Sequence, residues 1–274
     1  MRVGFVGVGN MGGAMAANAL ASGHVVTVCD ARADAVDTLV ALGAHAATTP
    51  REVGAEADVV SVVVMSGAQV EGVCVGPDGV LAGAATGAVI AVHSTVHPRS
   101  VRAVADVAPD GVAVLDAPIS GGVQGARAGT LCLMVGGDAD AFARARPVFD
   151  SMGTLVLHLG PLGTGLGAKL ARNLVGYITL LGAAEGNALA TAAGLDVDAL
   201  YRIEEHTGTL SPMMQSLMTV PGGDDVYASN LQPLIELSEK DLDVTLEYAA
   251  DLGLDLPATK LTRARIADAL RTLA

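Results

Sequence analysis

The chain is poor in several residue types, and each scarcity narrows what it can be. It contains no tryptophan, and aromatic residues make up 3% of it, while glycine reaches 34 residues. Such a composition relies on small side chains, which let helices pack closely on strands and on one another. Cysteine is limited to Cys29, Cys74 and Cys132. Their spacing fits neither a metal site nor a redox pair, and an odd, apolar-flanked set reads as thiols of a reducing compartment. Basic residues are short too: 16 Lys and Arg stand against 29 Asp and Glu, for a net charge of -13 and a pI of about 4.7. Such a surface repels nucleic acid and anionic membrane faces. An anionic ligand would need locally built positive sites. No apolar run is long enough to span a membrane. The stretch from Leu170 to Leu189 comes nearest but carries Arg172, Asn173, Glu185 and Asn187. The N-terminal apolar run is a short strand closed by a turn, unlike a signal peptide. The expectation is a cytoplasmic protein.

The first thirty residues organise the rest. Arg2 to Val6 is a short apolar run, followed by Gly7-Val8-Gly9-Asn10-Met11-Gly12. A helix-compatible stretch, Gly13 to Ala21, leads to a second apolar run, Val25 to Cys29, which ends at Asp30. Strand, glycine turn, helix, strand and acid together make a dinucleotide-binding arrangement. Gly7 allows the tight turn, Gly9 lets the backbone approach a pyrophosphate, and Gly12 lets the helix pack closely. Asn10 and Met11 open the helix whose unpaired N–H groups face the phosphates. Asp30 is placed to accept from both ribose hydroxyls. It would repel a 2′-phosphate, so NAD is expected. Arg32 keeps NADP possible, because it can fork onto a phosphate or fold over adenine. The bland reading of Arg32 is a solvated residue at a helix start.

Further along, helical and extended patterns alternate. Helices are expected near Ala33 to Leu42, Pro50 to Ala57, Gly67 to Cys74 and Val101 to Val107. Strands are expected at Ala44 to Thr48, Val59 to Val64, Gly87 to Val92, Val112 to Leu115, Thr130 to Val135 and Leu155 to Leu159. Val59 to Val64 is almost wholly apolar and β-branched, as in a parallel strand covered on both faces. Its end brings Val64 and Met65 to the cofactor side of the sheet. Asp138 is an N-cap for a helix to about Phe149. The alternation predicts an α/β, Rossmann-like domain with a largely parallel sheet over residues 1–162.

From residue 163 onward the pattern is helical. A long helix from Leu166 to Ala193 is interrupted by Gly176, Gly182 and Gly186, for which tight packing is the expected reason. Gly194 would cap its end. Helices at Val197 to Glu205 (capped by Asp196), Pro212 to Leu217, Leu231 to Leu252 and Pro257 to Leu270 follow, with a loop at Gly222 to Asp225. This small all-helical domain, residues 163–274, has few residues to bury its apolar faces. A homodimer or homotetramer is therefore expected.

Ligands of open parallel sheets bind at the C-terminal ends of strands. There, Ser94 and Thr95 offer hydroxyls for the nicotinamide amide or a substrate carboxylate, or else an N-cap for the helix starting at Pro98. Ser120-Gly121-Gly122 reads as an anion nest for a substrate carboxylate or as a simple turn. Lys169 sits near the start of the long helix, where a cation is unfavourable. It is either compensated for a purpose or snorkelling. Asn173, four residues on, shares its helix face. An ammonium and an amide converging on one oxygen suit proton movement coupled to hydride transfer. Lys240 either reaches the cofactor or substrate or is a surface charge. Among the histidines, His45 and His158 look structural, His97 and His206 are possible neighbours of a cleft, and none has a partner at catalytic spacing.

The glycine turn, Ser94-Thr95-Val96-His97-Pro98, Asp116-Ala117-Pro118-Ile119-Ser120-Gly121-Gly122, Gly125-Ala126, Gly129-Thr130-Leu131, Met134-Val135-Gly136-Gly137, Gly163 to Asn173 and Lys240-Asp241-Leu242 occur in an order that resembles the β-hydroxyacid dehydrogenase family. That family includes 3-hydroxyisobutyrate dehydrogenase, tartronate semialdehyde reductase and, more distantly, 6-phosphogluconate dehydrogenase. The resemblance covers essentially the whole chain. It implies that Lys169 is the catalytic acid and base and that Asn173 orients the substrate. It further implies that Ser120, Gly121 and Gly122 hold the substrate carboxylate, that Thr95 lies at substrate and nicotinamide, and that Lys240 is brought to the cleft by the helical domain. The chain departs from the family at Arg172, where asparagine is common, at Met65-Ser66, at His93, and between Met213 and Asn230. All four are expected near the cleft and bear on the substrate. The resemblance thus implies hydride transfer between NAD(P) and a small carboxylate-bearing β-hydroxyacid or its semialdehyde, with no metal. The alternatives are an imine reductase of the same architecture, which commonly lacks the lysine, and a non-catalytic dinucleotide-binding scaffold.

Overall fold

A run of β-branched residues with no polar alternation can be buried only in the middle of a layered sheet. Strands of this kind, β4 and β5, lie inside a six-stranded parallel sheet of order β3-β2-β1-β4-β5-β6 in the computed structural model, which describes residues 1–209 and 226–273. The strands are β1 (Arg2–Val6), β2 (Val25–Cys29), β3 (His45–Ala46), β4 (Val59–Val62), β5 (Val89–Val92) and β6 (Ala113–Asp116). Every residue of β4 and β5 is buried, as the sequence pattern predicts. The order reverses direction between β1 and β4, the topological switch point where dinucleotides bind in such sheets. Val6 pairs with both Cys29 and Val62, so three strand ends lie level at that point.

Helices α1 (Asn10–Ala21), α2 (Ala33–Val40), α3 (Pro50–Glu56), α4 (Gly67–Cys74), α5 (Val80–Gly83) and α6 (Pro98–Asp106) connect these strands. Phe5, Met15 and Leu115 belong to one apolar cluster, and Val60, Ile90 and Val101 to another. A second, three-stranded sheet orders β7 (Ile119–Ser120), β8 (Leu131–Val135) and β9 (Gly153–His158). Here β7 runs antiparallel to β8, and β9 runs parallel to it. Helix α7 (Gly122–Ala128), absent from the sequence expectation, follows β7, and α8 (Ala139–Phe149) links β8 to β9. Asp138 caps α8 as expected, accepting from the Ala141 N–H at 2.8 Å.

The remaining helices are α9 (Thr164–Ala192), α10 (Val197–Thr207), α11 (Val226–Asp251) and α12 (Pro257–Leu273). Gly194 takes the left-handed conformation after α9, and Asp196 caps α10. The expected helix from Pro212 to Leu217 and the loop at Gly222 to Asp225 lie outside the described residues, as does most of the segment from Met213 to Asn230. The chain divides into two compact units, Met1–Lys169 and Leu170–Ala274. Tyr177, Leu180, Ile235, Leu242, Ile266 and Leu270 form the core of the second. Tight packing does not account for two of the glycines in α9. A Cβ at Gly182 or Gly186 would meet nothing within 4 Å in this chain.

His93 directly follows β5 and is 2% exposed. Its Nδ1 lies 2.7 Å from the Ala117 carbonyl and its Nε2 3.1 Å from the Ser61 hydroxyl. A carbonyl can only accept, so Nδ1 carries the proton and Nε2 accepts from Ser61. The ring also stands edge-on to Phe149, at 5.9 Å between centroids. Burial pushes its pKa down to about 4, opposed by the hydrogen bond to Ala117. Unfolded, the imidazole would titrate near 6.5. The unfolded chain therefore takes up a proton that the folded chain refuses between pH 6.5 and about 4. The stability His93 confers is complete above 6.5 and is lost as the pH falls through this window. The amount is on the order of 3 kcal/mol. His93→Gln keeps a donor without the titration. Denaturant midpoints measured between pH 7 and 4.5 should fall less steeply for His93→Gln than for wild type. Parallel slopes would show that His93 does not govern acid sensitivity.

Candidate active site

Three backbone segments meet at the glycine turn with no room for side chains. Gly7 has φ 87°, and a Cβ there would run into the Val63 carbonyl. A Cβ at Gly12 would strike the carbonyl of Gly7. Gly9 differs: a Cβ there would approach only the Arg32 guanidinium, at 3.7 Å. Its outer face is therefore open to a ligand. Gly9 is the N-cap of α1, and the N–H groups of the first turn, from Asn10 to Gly12, have no acceptor within the helix. Asn10 is exposed and Met11 half-buried at this end. The geometry fits a pyrophosphate on the helix N-terminus.

Asp30 follows β2 and is fixed by two backbone donors that the sequence did not announce. Its Oδ2 accepts from the Val8 N–H at 2.7 Å, and its Oδ1 from the Arg32 N–H at 2.9 Å. Each carboxylate oxygen keeps further acceptor capacity. Arg32 Nε lies 3.8 Å from Asp30 Oδ1. Although its side chain is 59% exposed, the guanidinium is drawn toward the glycine turn. The reading of Arg32 as merely solvated therefore gives way to one in which it flanks the turn.

At the next strand ends, neither Ser94 nor Thr95 caps α6. His97 does, its Nδ1 accepting from the Arg99 N–H at 3.1 Å. Ser94 is used elsewhere: its hydroxyl accepts from the Val64 N–H at 2.9 Å. That bond ties the loop after β4 to the loop after β5. Thr95 is half-buried beside it, Val64 is half-buried, and Met65 is 65% exposed. Ser120 lies in β7, and Gly121 and Gly122 take φ values of 135° and 62° at the start of α7. Two successive residues at positive φ require glycine. His206 is exposed in the last turn of α10, and His158 bonds the Gly137 carbonyl at 2.8 Å. His45 is exposed on the edge strand β3 rather than structural.

Lys169 stands in the second turn of α9 and is 9% exposed. The start of this helix is anchored by a carboxylate from the sheet. Asp116, wholly buried at the end of β6, accepts from the Gly163 N–H and the Leu166 N–H, both at 2.7 Å. Its one signal in the sequence was a carboxylate ending an apolar strand.

In the second unit, Asn173 is 4% exposed and donates from Nδ2 to Asp241 Oδ2 at 2.8 Å. Tyr177 donates to the same oxygen at 3.0 Å, and Lys240 Nζ lies 2.8 Å from Asp241 Oδ1. Burial first, then the Asp241 charge, holds the Tyr177 hydroxyl far above its usual pKa, so it stays a donor. A carboxylate cannot donate, so Asp241 fixes the amide of Asn173 with Oδ1 turned away from it. Arg172 Nη1 donates to that Oδ1 at 3.2 Å. The sequence had named Asn173 and Lys240 but not the Asp241 and Tyr177 that orient them. Among the described residues no group of three His, Cys, Asp or Glu could hold a metal, and no helix is long and apolar enough to cross a membrane.

Comparison with known proteins agrees along the full length. The family model for the NAD binding domain of 6-phosphogluconate dehydrogenase matches residues 2–160. The model for the NAD-binding of NADP-dependent 3-hydroxyisobutyrate dehydrogenase matches residues 163–274. The NAD-dependent L-serine dehydrogenase of Pseudomonas aeruginosa is 43% identical over 268 residues, spanning 95% of this chain and 89% of that protein. The 3-hydroxyisobutyrate dehydrogenase of the same organism is 38% identical over the same spans. The solved structure of Mycobacterium tuberculosis 3-hydroxyisobutyrate dehydrogenase with L-serine superposes with a TM-score of 0.85 at 32% identity, covering 97% of this chain and 92% of that one. With its glycine turn, its sheet order and its full-length matches, the chain belongs to the 3-hydroxyisobutyrate dehydrogenase-like family of NAD(P)-binding oxidoreductases, related to 6-phosphogluconate dehydrogenase.

Proposed function

We propose that this protein is an NAD-preferring dehydrogenase of a small β-hydroxyacid, moving a hydride between the nicotinamide and the carbon that bears the hydroxyl. The observation that carries the reading is Lys169, a buried amine on α9 with Asn173 one turn beyond it on the same face. The glycine turn and Asp30 would hold the cofactor, which supplies the hydride acceptor in oxidation and the donor in reduction. In oxidation, neutral Lys169 takes the hydroxyl proton as the hydride leaves the carbon. In reduction, its ammonium returns that proton to the carbonyl oxygen. Asp241 takes one N–H of Asn173 and Arg172 donates to its Oδ1, so Asn173 would offer a substrate its second N–H or the remaining acceptor capacity of Oδ1. Ser120, Gly121 and Gly122 suit the substrate carboxylate, and Thr95 stands at the strand end where substrate and nicotinamide would meet. L-Serine and 3-hydroxyisobutyrate are the substrates to test first, since they name the activities of the relatives.

The second unit supports an oligomer of at least two subunits. Val175, Gly182, Gly186 and Leu189 fall on one face of α9 by helical periodicity. Val175 is 59% and Leu189 72% exposed, and the two glycines open onto space. A helix of a second copy would pack closely there.

Lys169→Ala should lower kcat/KM for the hydroxyacid by about 10³-fold. Its NADH affinity, followed by fluorescence, should stay near wild type. An unchanged rate would remove Lys169 from the chemistry, and turnover of cyclic imines without any hydroxyacid would reassign the reaction. Asp30→Asn should move the NAD-to-NADP ratio of kcat/KM toward NADP by roughly tenfold, since an ion–ion repulsion disappears. A ratio that stays put would show that the carboxylate does not select the cofactor. Gly186→Leu should shift the light-scattering mass of the particle toward the monomer. A mass unchanged from an oligomeric wild type would place the subunit contact elsewhere.

A further inference from the structure

A helix of seven residues is not stable alone, because nucleation costs more than so few backbone bonds return. Helix α7 has that length, and it opens on Gly121 and Gly122, both at positive φ. Whatever packs against α7 therefore decides where those two glycines sit. One neighbour is the cofactor helix α1. Ala126 of α7 is wholly buried in the same apolar cluster as Met15, Ala16 and Ala19 of α1. Apolar contact is non-directional, so it holds two helices together without fixing how far one slides along the other. A hydrogen bond supplies that register. Asn18, half-buried on α1, donates from Nδ2 to the Ala126 carbonyl at 2.6 Å, across 108 residues of sequence. Ala126 is among the last four residues of α7, whose carbonyls lack the usual partner inside the helix. The Gly129 N–H reaches the same carbonyl at a longer 3.4 Å. Gly129 closes α7 in the left-handed conformation, and a Cβ there would stand 3.5 Å from Asn18 Nδ2. The amide of Asn18 thus seats at the end of α7 as a cap supplied by another helix.

We infer that Asn18 is a positioning residue for the substrate: its amide sets the register of α7 on the cofactor helix and so places the Gly121 and Gly122 N–H groups for the substrate carboxylate. The inference rests on the proposed seat of that carboxylate at Ser120, Gly121 and Gly122. The bond joins two helix starts that hydride transfer must hold at one spacing. Helix α1 begins at Gly9, whose outer face is open to a ligand, and α7 begins at the substrate segment. Asn18 lies six residues beyond Gly12, about 9 Å along α1, and Ala126 four residues beyond Gly122, about 6 Å along α7. Ser120 has its own support, because it pairs with Cys132 of β8. Gly121 and Gly122 belong to the start of α7, where the Gly121 carbonyl accepts from the Gly125 N–H at 3.0 Å, and they move with that helix. Releasing α7 would therefore loosen two backbone donors and leave the Ser120 hydroxyl in place, so substrate binding weakens without vanishing.

Asn18→Asp keeps the shape of the side chain but removes the donor, and Asn18→Ala removes the group outright. Both variants should bind NADH like wild type, because neither change touches the first turn of α1. In both, the backbone amides of residues 122–128 should exchange with solvent about five- to tenfold faster, as for one hydrogen bond lost. The amides of α1 should exchange as in wild type. The KM for 3-hydroxyisobutyrate or L-serine, whichever wild type oxidises, should rise about tenfold, with kcat changed less and KM for NAD unchanged. A merely structural Asn18 would shrink the active fraction, lowering kcat with both KM values unmoved, and that outcome overturns the inference. So would unchanged exchange in α7. An equal rise in KM for NAD would assign Asn18 to the cofactor helix and overturn it too, as would failure of both variants to fold, which would assign Asn18 to the core. The exchange measurement needs no turnover. A wild type that oxidises no hydroxyacid would count against the proposed reaction, whereas an active wild type whose variants keep its hydroxyacid KM would count against this inference alone.

Discussion

A parallel sheet covered on both faces leaves its loops with a problem at the C-terminal edge. The last backbone N–H and carbonyl groups of each strand have run out of ladder partners, yet they are too close to the core to be left unpaired. Side chains solve it, strand by strand. Asp30, after β2, takes the Val8 N–H in the turn after β1. Ser94, after β5, takes the Val64 N–H after β4. His93 bonds the Ala117 carbonyl after β6, and Asp116 of β6 takes two N–H groups at the start of α9. Together these ties run across the edge from β2 to α9. The loops at this edge are thus tied to one another by buried and half-buried side chains, which is what a preorganised site requires.

The same edge explains the uses of glycine. Gly7, Gly12, Gly136 and Gly165 sit where one backbone passes another with no Cβ between them. At each, a larger side chain would push apart elements whose spacing sets the mouth of the sheet. Gly121 and Gly122 serve differently, through their positive φ. Those in α9 serve differently again, since Gly182 and Gly186 face open space within the chain. A helix-interior glycine lowers stability by about 1 kcal/mol relative to alanine. Packing within the chain therefore does not require glycine at either position.

Much of this was legible in the sequence. The alternation of β-branched runs with helical stretches needs no tertiary knowledge, and it announces a largely parallel sheet though not the order of its strands. Asp138, Asp196 and Gly194 cap where their residue types and positions predict, because capping is local chemistry. The failures share a physical cause: the partner is distant in sequence. Ser94 and Thr95 looked like caps for α6, but Ser94 is claimed by a backbone group thirty residues away and His97 takes the cap. His93 stands out in the sequence only as a departure from the family pattern, and nothing local announces its partners, one on β4 and one just after β6. Asp241 was quoted beside Lys240 without a role, since nothing local shows that it orients Asn173, which precedes it by 68 residues. Helix α7 is hidden in the sequence because a glycine-rich opening masks a helix of about two turns.

Charge placement in a strongly acidic chain adds a last constraint. With 29 acidic residues against 16 basic ones, most cations should find a carboxylate, and Arg2, Arg146, Lys260, Arg263 and Arg271 do so at the surface. Such exposed pairs contribute little, from about 0 to 1 kcal/mol each. Other cations are placed differently: Arg32 lies beside the glycine turn with its Nε 3.8 Å from Asp30 Oδ1, Lys169 is buried in α9, and Arg172 donates to the Asn173 amide oxygen. A long-range field of this sign would slow an anionic cofactor or substrate on approach. Short-range positive groups and oriented N–H donors must therefore supply the attraction once the ligand is close. At the open face of Gly9, both are present: the guanidinium of Arg32 and the unpaired N–H groups of the first turn of α1.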